Sequence, residues 1–413
     1  MATMNSATAT GSYKGIDAVD VRGRRVIVRA DLNVPLAGGH VSDATRIERL
    51  LPTLRDLAAR GARIVVLSHL GRPDGAKDLK YTLKPVAEKL GAMLDGVPVR
   101  FVEDCIGEVA EAGVAALQPG EVAVLENLRF YPGEEANAPA FVAALARLGD
   151  LYVNDAFSVS HRAHASVYGI AHALPAFAGP QMLAELGAFK LVLGLPKRPV
   201  AAIVGGAKVS TKIQLLTSLT AQVDVLIIGG GMANTFLYAQ GFPVGKSLCE
   251  PSFTETVEQI MSRAAETGCK IVLPTDGVVA KEFAANAPHA VYSAESTPAD
   301  GMILDVGPKS LADFIERIRG VKTLLWNGPV GAFETPPFGE ATFALAKFAA
   351  ERTKSGDLVS VAGGGDTVAA LNAAGVTESF TYVSTAGGAF LEWLEGRELP
   401  GVTALTHQRT DAQ

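Results

Sequence analysis

Cysteine is scarce in this sequence, which has only three among 413 residues. Cys105, Cys249 and Cys269 share no paired spacing, so we predict neither a disulfide framework nor a zinc knuckle. Thiols without such partners fit a reducing compartment, and we therefore expect a cytoplasmic protein.

Long apolar runs and an excess of basic charge are also missing. No apolar stretch reaches the roughly 20 residues that span a bilayer. Residues 1–13 are polar and lack both the basic segment and the apolar segment of a signal peptide, so we expect a loose tail there. The formal net charge is −6, whereas general binding to nucleic acid requires a basic surface. We therefore expect neither a membrane nor a nucleic acid as a partner, and any anion site must be local.

The sequence is rich in short β-branched runs that alternate with amphipathic segments. Examples are RVIVRADLN and RIVVLSHLG in the first half, and VAAIVGGAK and VDVLIIGGG in the second. Continuous apolar strands that alternate with helices indicate parallel sheets covered on both faces. Between the first two runs, Ile47, Leu50, Leu54 and Leu57 keep a helical period, which predicts a helix there.

The two halves meet near residues 180–200, where a helical segment is bounded by glycine, proline and a basic loop. We predict two doubly wound, Rossmann-like α/β domains with a cleft between them, joined by a hinge helix at about residues 181–198. The N-terminal domain covers residues 1–185 in this prediction, and the C-terminal domain covers residues 186–392.

Nearly every apolar run ends in polar or glycine residues. Ligands of open α/β sheets bind outside the carboxyl ends of the strands, so these residues should converge on one crevice in each domain. Turns between strands and helices are often polar and glycine-rich for structural reasons alone. These ends, however, are also sorted by chemistry, because the first half collects cations and the second half collects glycines.

The cationic and hydrogen-bonding side chains of the first half suit an anion. They are Asp31, Asn33, Arg46, His69, Arg72, Arg129, His161, Arg162 and His164. Several arginine forks aimed at one point make an anion clamp. The motif HRAH at 161–164 could also be half of a metal site or carry the base of a hydrolase. Too few further ligands accompany it, and no G-x-S-x-G motif occurs, so we favour the anion clamp.

The glycine-rich motifs of the second half are GGAKVSTK at 205–212 and GGGDT at 363–367. Each follows a predicted strand and opens a helix, so its backbone N–H groups can approach phosphate oxygens. Lys208 and Lys212 should lie one helical turn apart, and Asp366 should be the N-cap of its helix. A lone carboxylate there suits Mg²⁺. Each glycine run can also be no more than a tight turn.

Two other nucleotide-binding patterns are incomplete. GFPVGKS at 241–247 is one residue too short for a Walker A loop, so we predict a connecting loop. The pattern G-x-G-x-x-G also fails after Gly229 and after Gly363, which disfavours a dehydrogenase.

A series of motifs, in order, resembles the phosphoglycerate kinase family over residues 14–405. They are RADLNVP, SHLGRP, ENLRF, VNDAF with HRAHAS, GGAKVSTK, IIGGGMANTF, WNGPVGAFE, GGGDT and STAGGAFLEWLEG. The resemblance implies reversible phosphoryl transfer between 1,3-bisphosphoglycerate and ADP, which gives 3-phosphoglycerate and ATP and requires Mg²⁺. It also implies a hinge-bending monomer in which residues 393–413 pack back on the N-terminal domain.

The resemblance implies a role for each matched residue. The phosphoglycerate would be held by Asp31, Asn33, Arg46, His69, Arg72, Arg129, His161 and Arg162. The nucleotide would be held by Gly206, Lys208, Lys212, Asn327, Glu334, Gly364, Gly365, Asp366 and Thr367, with Glu334 on the ribose and Asp366 on the magnesium ion. We expect Arg46 and Lys208 to be catalytic, one on each side of the transferred phosphoryl group.

Three positions depart from the family pattern: RAD replaces RVD at Ala30, AFS replaces AFG at Ser158, and STAGG replaces STGGG at Ala386. We expect the first two to be tolerated and Ala386 to affect domain closure.

Two alternatives remain, a kinase of another carboxylate and an inactive nucleotide-binding regulatory protein of the same fold. The arginine-rich first crevice favours a substrate with an additional phosphate, and Arg46, Lys208 and Asp366 are all present.

Overall fold

The computed structural model describes residues 13–406, which form two compact units. The first unit contains residues 13–186 and 398–406, and the second is Gly187–Arg397. Residues 1–12 of the predicted tail and residues 407–413 of the predicted C-terminal segment lie outside the described residues. No helix within 13–406 is both long enough and apolar enough to cross a membrane.

The first unit is built on a six-stranded sheet whose paired strands all run parallel. Its strands are β1 (Arg25–Arg29), β4 (Arg63–Leu67), β5 (Val99–Val102), β6 (Val122–Leu125), β7 (Leu151–Asn154) and β8 (Ala176–Ala178), in the spatial order β5-β6-β4-β1-β7-β8. Val26, Ile27 and Val28 of β1 are all fully buried although they alternate between the two faces. The sheet is therefore covered on both sides, as the continuous apolar runs predict.

The first unit also contains a small hairpin, β2 (Leu36–Ala37) with β3 (His40–Val41). Its α-helices are Thr45–Ala59, Lys84–Met93, Gly107–Ala115, Pro132–Glu135, Pro139–Ala146, Ile170–Ala173 and Pro400–Thr403. Its short 3₁₀-helices are Ile16–Ala18, Leu79–Tyr81, Leu128–Phe130 and Phe157–Val159, and a π-helix covers Ala165–Gly169. The predicted helix is confirmed at Thr45–Ala59, and it buries Ile47, Leu50, Leu54 and Leu57 in the core.

The second unit repeats this plan with one addition. Its parallel sheet contains β9 (Val200–Val204), β10 (Val225–Ile228), β11 (Lys270–Val272), β15 (Thr323–Asn327), β16 (Val359–Gly363) and β17 (Tyr382–Ser384), in the order β11-β10-β9-β15-β16-β17. The addition is an antiparallel sheet of β12 (Asp276–Ala280), β13 (His289–Ser293) and β14 (Met302–Val306), which the sequence analysis does not predict. The predicted fold class, two doubly wound parallel-sheet domains, is confirmed.

The α-helices of the second unit are Ile213–Leu219, Gly230–Ala239, Thr254–Thr267, Pro308–Arg319, Glu340–Lys354, Gly365–Ala373 and Gly388–Leu394. Its 3₁₀-helices are Val209–Thr211, Pro251–Phe253, Ala294–Ser296 and Thr377–Ser379. The helix Pro180–Phe189 contains the boundary between the units, and a π-helix, Lys190–Gly194, follows it. Residues 241–247 form a connecting loop after Gly230–Ala239, as predicted.

Each parallel sheet has one point at which the direction of strand addition reverses. In the first unit the chain adds strands on one side of β1 and then crosses to β7 on the other side. In the second unit the reversal lies between β9 and β15. Ligands of doubly wound folds bind at such switch points, beyond the carboxyl ends of the strands. The residues that follow these four strands are therefore the first place to look for a site.

Candidate active site

The predicted binding residues of the first unit follow the carboxyl ends of its strands. Asp31 and Asn33 follow β1, His69 and Arg72 follow β4, Arg129 follows β6, and His161 and Arg162 follow β7. Arg46 is the second residue of the helix Thr45–Ala59. We call this set the first site, and it surrounds the switch point between β1 and β7.

Hydrogen bonds join four residues of the first site directly or through Gly71. Arg46 Nη1 donates to Asp31 Oδ1 at 2.8 Å and to the carbonyl oxygen of Asn33 at 3.0 Å. The amide oxygen of Asn33 accepts the N–H of Gly71 at 2.9 Å, and Arg129 Nη1 donates to the carbonyl oxygen of Gly71 at 2.8 Å. The structure therefore brings Asp31, Asn33, Arg46 and Arg129 together.

Three arginines line a cavity of about 600 Å³ in the first unit. Arg72, Arg129 and Arg162 share its wall with Glu135, whose carboxylate lies 3.1 Å from Arg129 Nε. Asp74 also lines the cavity, so three guanidinium groups face two carboxylates and leave a net positive charge, which suits an anionic ligand.

His69 lies beside a fully buried arginine that the sequence analysis missed. Arg29, at the end of β1, has its Nη2 3.1 Å from His69 Nδ1. Arginine only donates hydrogen bonds, so Nδ1 must be the acceptor and the proton of a neutral His69 resides on Nε2. Burial and the charge of Arg29 hold the pKa of His69 well below its usual value. The only sequence feature that could have indicated Arg29 is its position at the end of the apolar run RVIVR.

Arg29 is itself held by a buried acidic partner. Its Nε donates to Ser166 Oγ at 2.9 Å, and that hydroxyl donates to Glu134 Oε1 at 2.5 Å. The N–H of Ser166 donates to the other oxygen of Glu134 at 2.9 Å. Burial raises the pKa of Glu134, while Arg29 and Ser166 oppose that shift. Arg29, Ser166 and Glu134 therefore form a satisfied polar cluster beneath His69.

The HRAH motif divides between two environments. His161 Nε2 accepts a hydrogen bond from Arg162 Nε at 3.2 Å, and both side chains are half-buried. His164 is buried beside Glu134 at 3.9 Å, yet burial and the charge of Arg129 lower the pKa of His164 to about 4. Because a neutral imidazole carries no charge, His164 and Glu134 do not form an ion pair. Within 13–406 no group of three or more His, Cys, Asp or Glu could hold a metal.

Three of the predicted nucleotide residues of the second unit line a cavity of about 460 Å³. Its lining includes Gly206 after β9, Glu334 after β15 and Asp366 after β16. Leu248, Phe283 and Met302 supply apolar surface at the same cavity. We call these lining residues, together with Lys208, Lys212, Asn327, Gly364, Gly365 and Thr367, the second site.

The two lysines of the second site differ in their surroundings. One turn of 3₁₀-helix, Val209–Thr211, separates them, and the α-helix begins only after Lys212, at Ile213. Lys208 is exposed. Lys212 Nζ donates to the carbonyl oxygen of Gly205 at 2.7 Å and to Asn327 Oδ1 at 2.6 Å. Burial lowers the pKa of Lys212 to about 8, against the opposing charge of Asp366.

Glu250 holds the turn between the two lysines, and the sequence analysis missed this residue. Its two carboxylate oxygens accept the N–H of Ser210 at 2.9 Å and the hydroxyl of Ser210 at 2.6 Å. Nothing in the sequence near Glu250 indicates the contact, because 40 residues separate the partners.

Hydrogen bonds to the neighbouring strand end fix the turn after β16. Asn327 Nδ2 donates to the carbonyl oxygen of Gly363 at 2.7 Å, and Thr367 Oγ1 accepts the N–H of Gly328 at 2.7 Å. The helix begins at Gly365 with Gly364 as its N-cap. The predicted N-cap role of Asp366 is therefore wrong, and Asp366 lies in the first turn, exposed at the cavity.

Asp305 is a further carboxyl group at this cavity that the sequence analysis missed. It lies in β14, accepts the N–H groups of Val306 and Ala341, and is almost fully buried. Burial raises the pKa of Asp305 to about 7. Nothing in the sequence around Asp305 distinguishes it from an ordinary strand residue.

Comparison with known proteins decides which family has this combination of sites. A family model described as phosphoglycerate kinase matches residues 16–397. A curated relative from Methylobacterium radiotolerans is 59% identical over 389 residues, which cover 94% of this chain and 97% of the relative. Another, from Sinorhizobium medicae, is 60% identical over 393 residues and covers 95% and 98%. Both are named phosphoglycerate kinase. The chain belongs to the phosphoglycerate kinase family.

Solved structures of phosphoglycerate kinases agree with this assignment. The enzyme from Coxiella burnetii has a TM-score of 0.89 at 40% identity, and the match covers 96% of this chain and 99% of that one. The enzyme from Pyrococcus horikoshii has a TM-score of 0.80 at 29% identity, with 95% and 98% covered. This chain is therefore a phosphotransferase that moves a phosphoryl group reversibly between 1,3-bisphosphoglycerate and ADP. Nothing in the comparisons supports an inactive regulator or a kinase of another carboxylate.

The three departures from the phosphoglycerate kinase pattern fit the structure without distortion. Ala30 is fully buried after β1, and its carbonyl oxygen accepts the hydroxyl of Ser68 at 2.9 Å. Ala386 is buried, and its N–H donates to Ser384 Oγ at 3.2 Å. Ser158 is half-buried, and its hydroxyl donates to Asp31.

Proposed function

We propose that the first site binds the phosphoglycerate and that the second site binds ATP or ADP together with Mg²⁺. The observation that carries this proposal is the contrast between the two cavities. The first is lined by Arg72, Arg129 and Arg162, whereas the second combines apolar surface with glycine-rich turns. A small phosphorylated acid suits the former, and a base with a phosphate chain suits the latter.

In the first site, we propose that the cationic side chains hold the anionic groups of the phosphoglycerate and the others orient it. Arg72, Arg129 and Arg162 bind anionic oxygens, with His161 beside Arg162. His69, as a neutral imidazole, offers its Nε2–H as a donor without a full charge. Asp31 cannot bind an anion, so its partner is a hydroxyl group of the substrate, and Asn33 holds the loop that carries Gly71.

In the second site, the phosphate chain of the nucleotide lies along the two glycine-rich turns in this proposal. Gly206, Gly364 and Gly365 leave room for phosphate oxygens, and Lys208 is free of the carbonyl contacts that occupy Lys212. Lys212 and Asn327 keep the two strand ends at a fixed separation, and Thr367 anchors the turn. Glu334, exposed at the cavity, suits a ribose hydroxyl.

Asp366 is the residue proposed to hold Mg²⁺. Its carboxylate is exposed at the cavity in the first turn of a helix, near the cation of Lys212. A single carboxylate with nucleotide phosphates is a common way to bind Mg²⁺, so the residues present fit the ion. When bound, Mg²⁺ offsets the negative charge of the phosphate oxygens.

The chemistry needs alignment and charge rather than a base. The attacking group is a phosphate oxygen in one direction and a carboxylate in the other, and neither carries a proton that must be removed. We assign the stabilisation of the transferred phosphoryl oxygens to Arg46 and Lys208. Arg46 already has one side fixed by Asp31 and by the carbonyl oxygen of Asn33, so its guanidinium is oriented before the substrate binds.

We further propose a cytoplasmic monomer without a membrane or nucleic-acid partner. Cys105, Cys249 and Cys269 are unpaired in the structure, which suits a reducing compartment. The net charge of −6 disfavours general contact with nucleic acid.

The experiment that tests the proposal is a coupled assay of Mg²⁺- and ATP-dependent phosphorylation of 3-phosphoglycerate, with acetate and aspartate as control acceptors. We expect turnover with 3-phosphoglycerate alone. Arg46→Ala should lower kcat by about 100- to 1000-fold, because it removes a donor to the transition state.

The matched control is Arg55→Ala, which removes an exposed arginine from the same helix and should retain wild-type kcat. If Arg46→Ala raised KM and left kcat unchanged, Arg46 would bind the ground state only and its catalytic role would be wrong.

A further inference from the structure

Ser158 stands at one of the positions where this chain departs from the family pattern, and it contacts the first site directly. Its Oγ donates to Asp31 Oδ2 at 2.5 Å. The family pattern has glycine at this position, which has no side chain to make the contact. The hydrogen bond therefore depends on the serine at this position.

The fold brings the two residues together across the switch point of the first sheet. β1 and β7 are paired in parallel, with Arg29 opposite Asn154. Asp31 lies two residues beyond Arg29, and Ser158 lies four residues beyond Asn154. Ser158 is the middle residue of the 3₁₀-helix Phe157–Val159 and does not have a positive φ. A serine is thus accommodated here without backbone strain.

The hydroxyl of Ser158 completes the support of the Asp31 carboxylate. Oδ1 already accepts Arg46 Nη1 at 2.8 Å and the N–H of Asn33 at 3.2 Å. Without Ser158, only these two bonds to Oδ1 would oppose rotation of the carboxylate plane about the bond to Cβ, and nothing would hold Oδ2 directly. A carboxylate has about four acceptor positions, so Oδ2 keeps one position for a further donor.

We propose that Ser158 is a positioning residue that orients the Asp31 carboxylate for the hydroxyl group of the phosphoglycerate. This inference rests on the proposed role of the first site. Ser158 acts through Asp31 and has no part in the transfer of the phosphoryl group. Its loss should therefore weaken substrate binding more than it slows the chemical step.

The test measures the binding of 3-phosphoglycerate to the full chain by isothermal titration calorimetry, together with kcat from the coupled assay. Ser158→Ala and Ser158→Gly should each raise the Kd of 3-phosphoglycerate by about tenfold, because both lose a hydrogen bond to a charged group. Ser158→Thr keeps a hydroxyl and should restore the Kd to within about twofold of wild type. The Kd of ADP should stay within about twofold in all three variants, and kcat should change less than the Kd of 3-phosphoglycerate, because Arg46 keeps its bond to the carbonyl oxygen of Asn33.

Ser355→Ala is the matched control, because it removes a hydroxyl that donates to Asp357 at 2.9 Å on an exposed part of the second unit. It should leave both ligand affinities unchanged. The inference is overturned if Ser158→Ala binds 3-phosphoglycerate as wild type does, or if Ser158→Thr is as weak as Ser158→Ala. If the wild-type chain itself did not bind 3-phosphoglycerate, the assignment of the first site would fail instead.

Discussion

Single residues in the first unit show how burial decides protonation near a binding site. Arg29 and Glu134 are both buried, and Ser166 bridges them by two hydrogen bonds. A buried charge without a partner is costly, so each partner depends on the other. His69 and His164 lie against this cluster, and burial, followed by the charge of neighbouring arginines, lowers the pKa of both imidazoles. The two histidines therefore contribute hydrogen bonds and shape, and the arginines contribute the charge.

His164 should make the stability of the protein sensitive to mild acid. Its pKa is lowered from 6.5 to about 4 in the folded state, so the unfolded chain binds a proton more readily between these values. The stabilising contribution is complete above pH 6.5 and is lost as the pH falls towards 4. Between pH 7.5 and pH 5 the loss amounts to about 2 kcal/mol of unfolding free energy.

The measurement is urea denaturation of wild type and His164→Gln at pH 7.5 and at pH 5. Other groups titrate in both proteins, so the difference between the two pH dependences isolates His164. We expect the variant to lose about 2 kcal/mol less than wild type on acidification. Parallel pH dependences in the two proteins would show that His164 is protonated equally in the folded and unfolded states.

At the scale of elements, the turn between β16 and the helix Gly365–Ala373 requires glycine for two reasons. Gly364 has φ +99, and a Cβ atom there would lie 2.7 Å from Asn327 Nδ2. Gly364→Ala should therefore displace the side chain that links β15 to β16 and to Lys212. We expect a loss of at least about 1 kcal/mol of stability from the backbone alone and a rise of about tenfold or more in the KM of ATP.

Gly375→Ala provides the control for this prediction. Gly375 also has a positive φ, +69, but nothing lies within 4 Å of a Cβ atom at this position. It should lose about 1 kcal/mol of stability from the backbone alone, seen by thermal unfolding, and keep the wild-type KM of ATP. Equal KM values for ATP in the two variants would mean that the clash with Asn327 has no effect on nucleotide binding.

The sequence predicted elements better than it predicted contacts between them. Local periodicity was enough to predict the helix Thr45–Ala59. The order of the motifs was enough to predict the strand ends that Asp31 and Lys208 follow. The 3₁₀ turn after Lys208 and the N-cap at Gly364 depend on bonds to Glu250 and Asn327, which are distant in sequence. Single-sequence patterns do not contain such pairings, and the buried Arg29 was missed for the same reason.

At the scale of the whole molecule, the proposed reaction requires the two units to approach each other when both substrates are bound. Arg46 belongs to the first unit and Lys208 to the second, yet both are assigned to the same phosphoryl group, and the reacting atoms must come within about 3–3.5 Å. The segment at residues 181–198 is the proposed hinge, and it contains most of the helix Pro180–Phe189 and the π-helix Lys190–Gly194. π-helical turns are frequent at functional sites.

Small-angle X-ray scattering tests this closure. The full chain is measured alone, with 3-phosphoglycerate, with MgADP and with both ligands. No reaction takes place with both ligands, because neither of them donates a phosphoryl group to the other. With both ligands the radius of gyration should decrease towards the roughly 22 Å of a single compact body of 413 residues. Each ligand alone should give a smaller decrease in the radius of gyration. Only the two ligands together stabilise the closed state through contacts in both units. A radius that stays constant with both ligands bound would leave Arg46 and Lys208 on separate bodies, and their shared catalytic role could not stand.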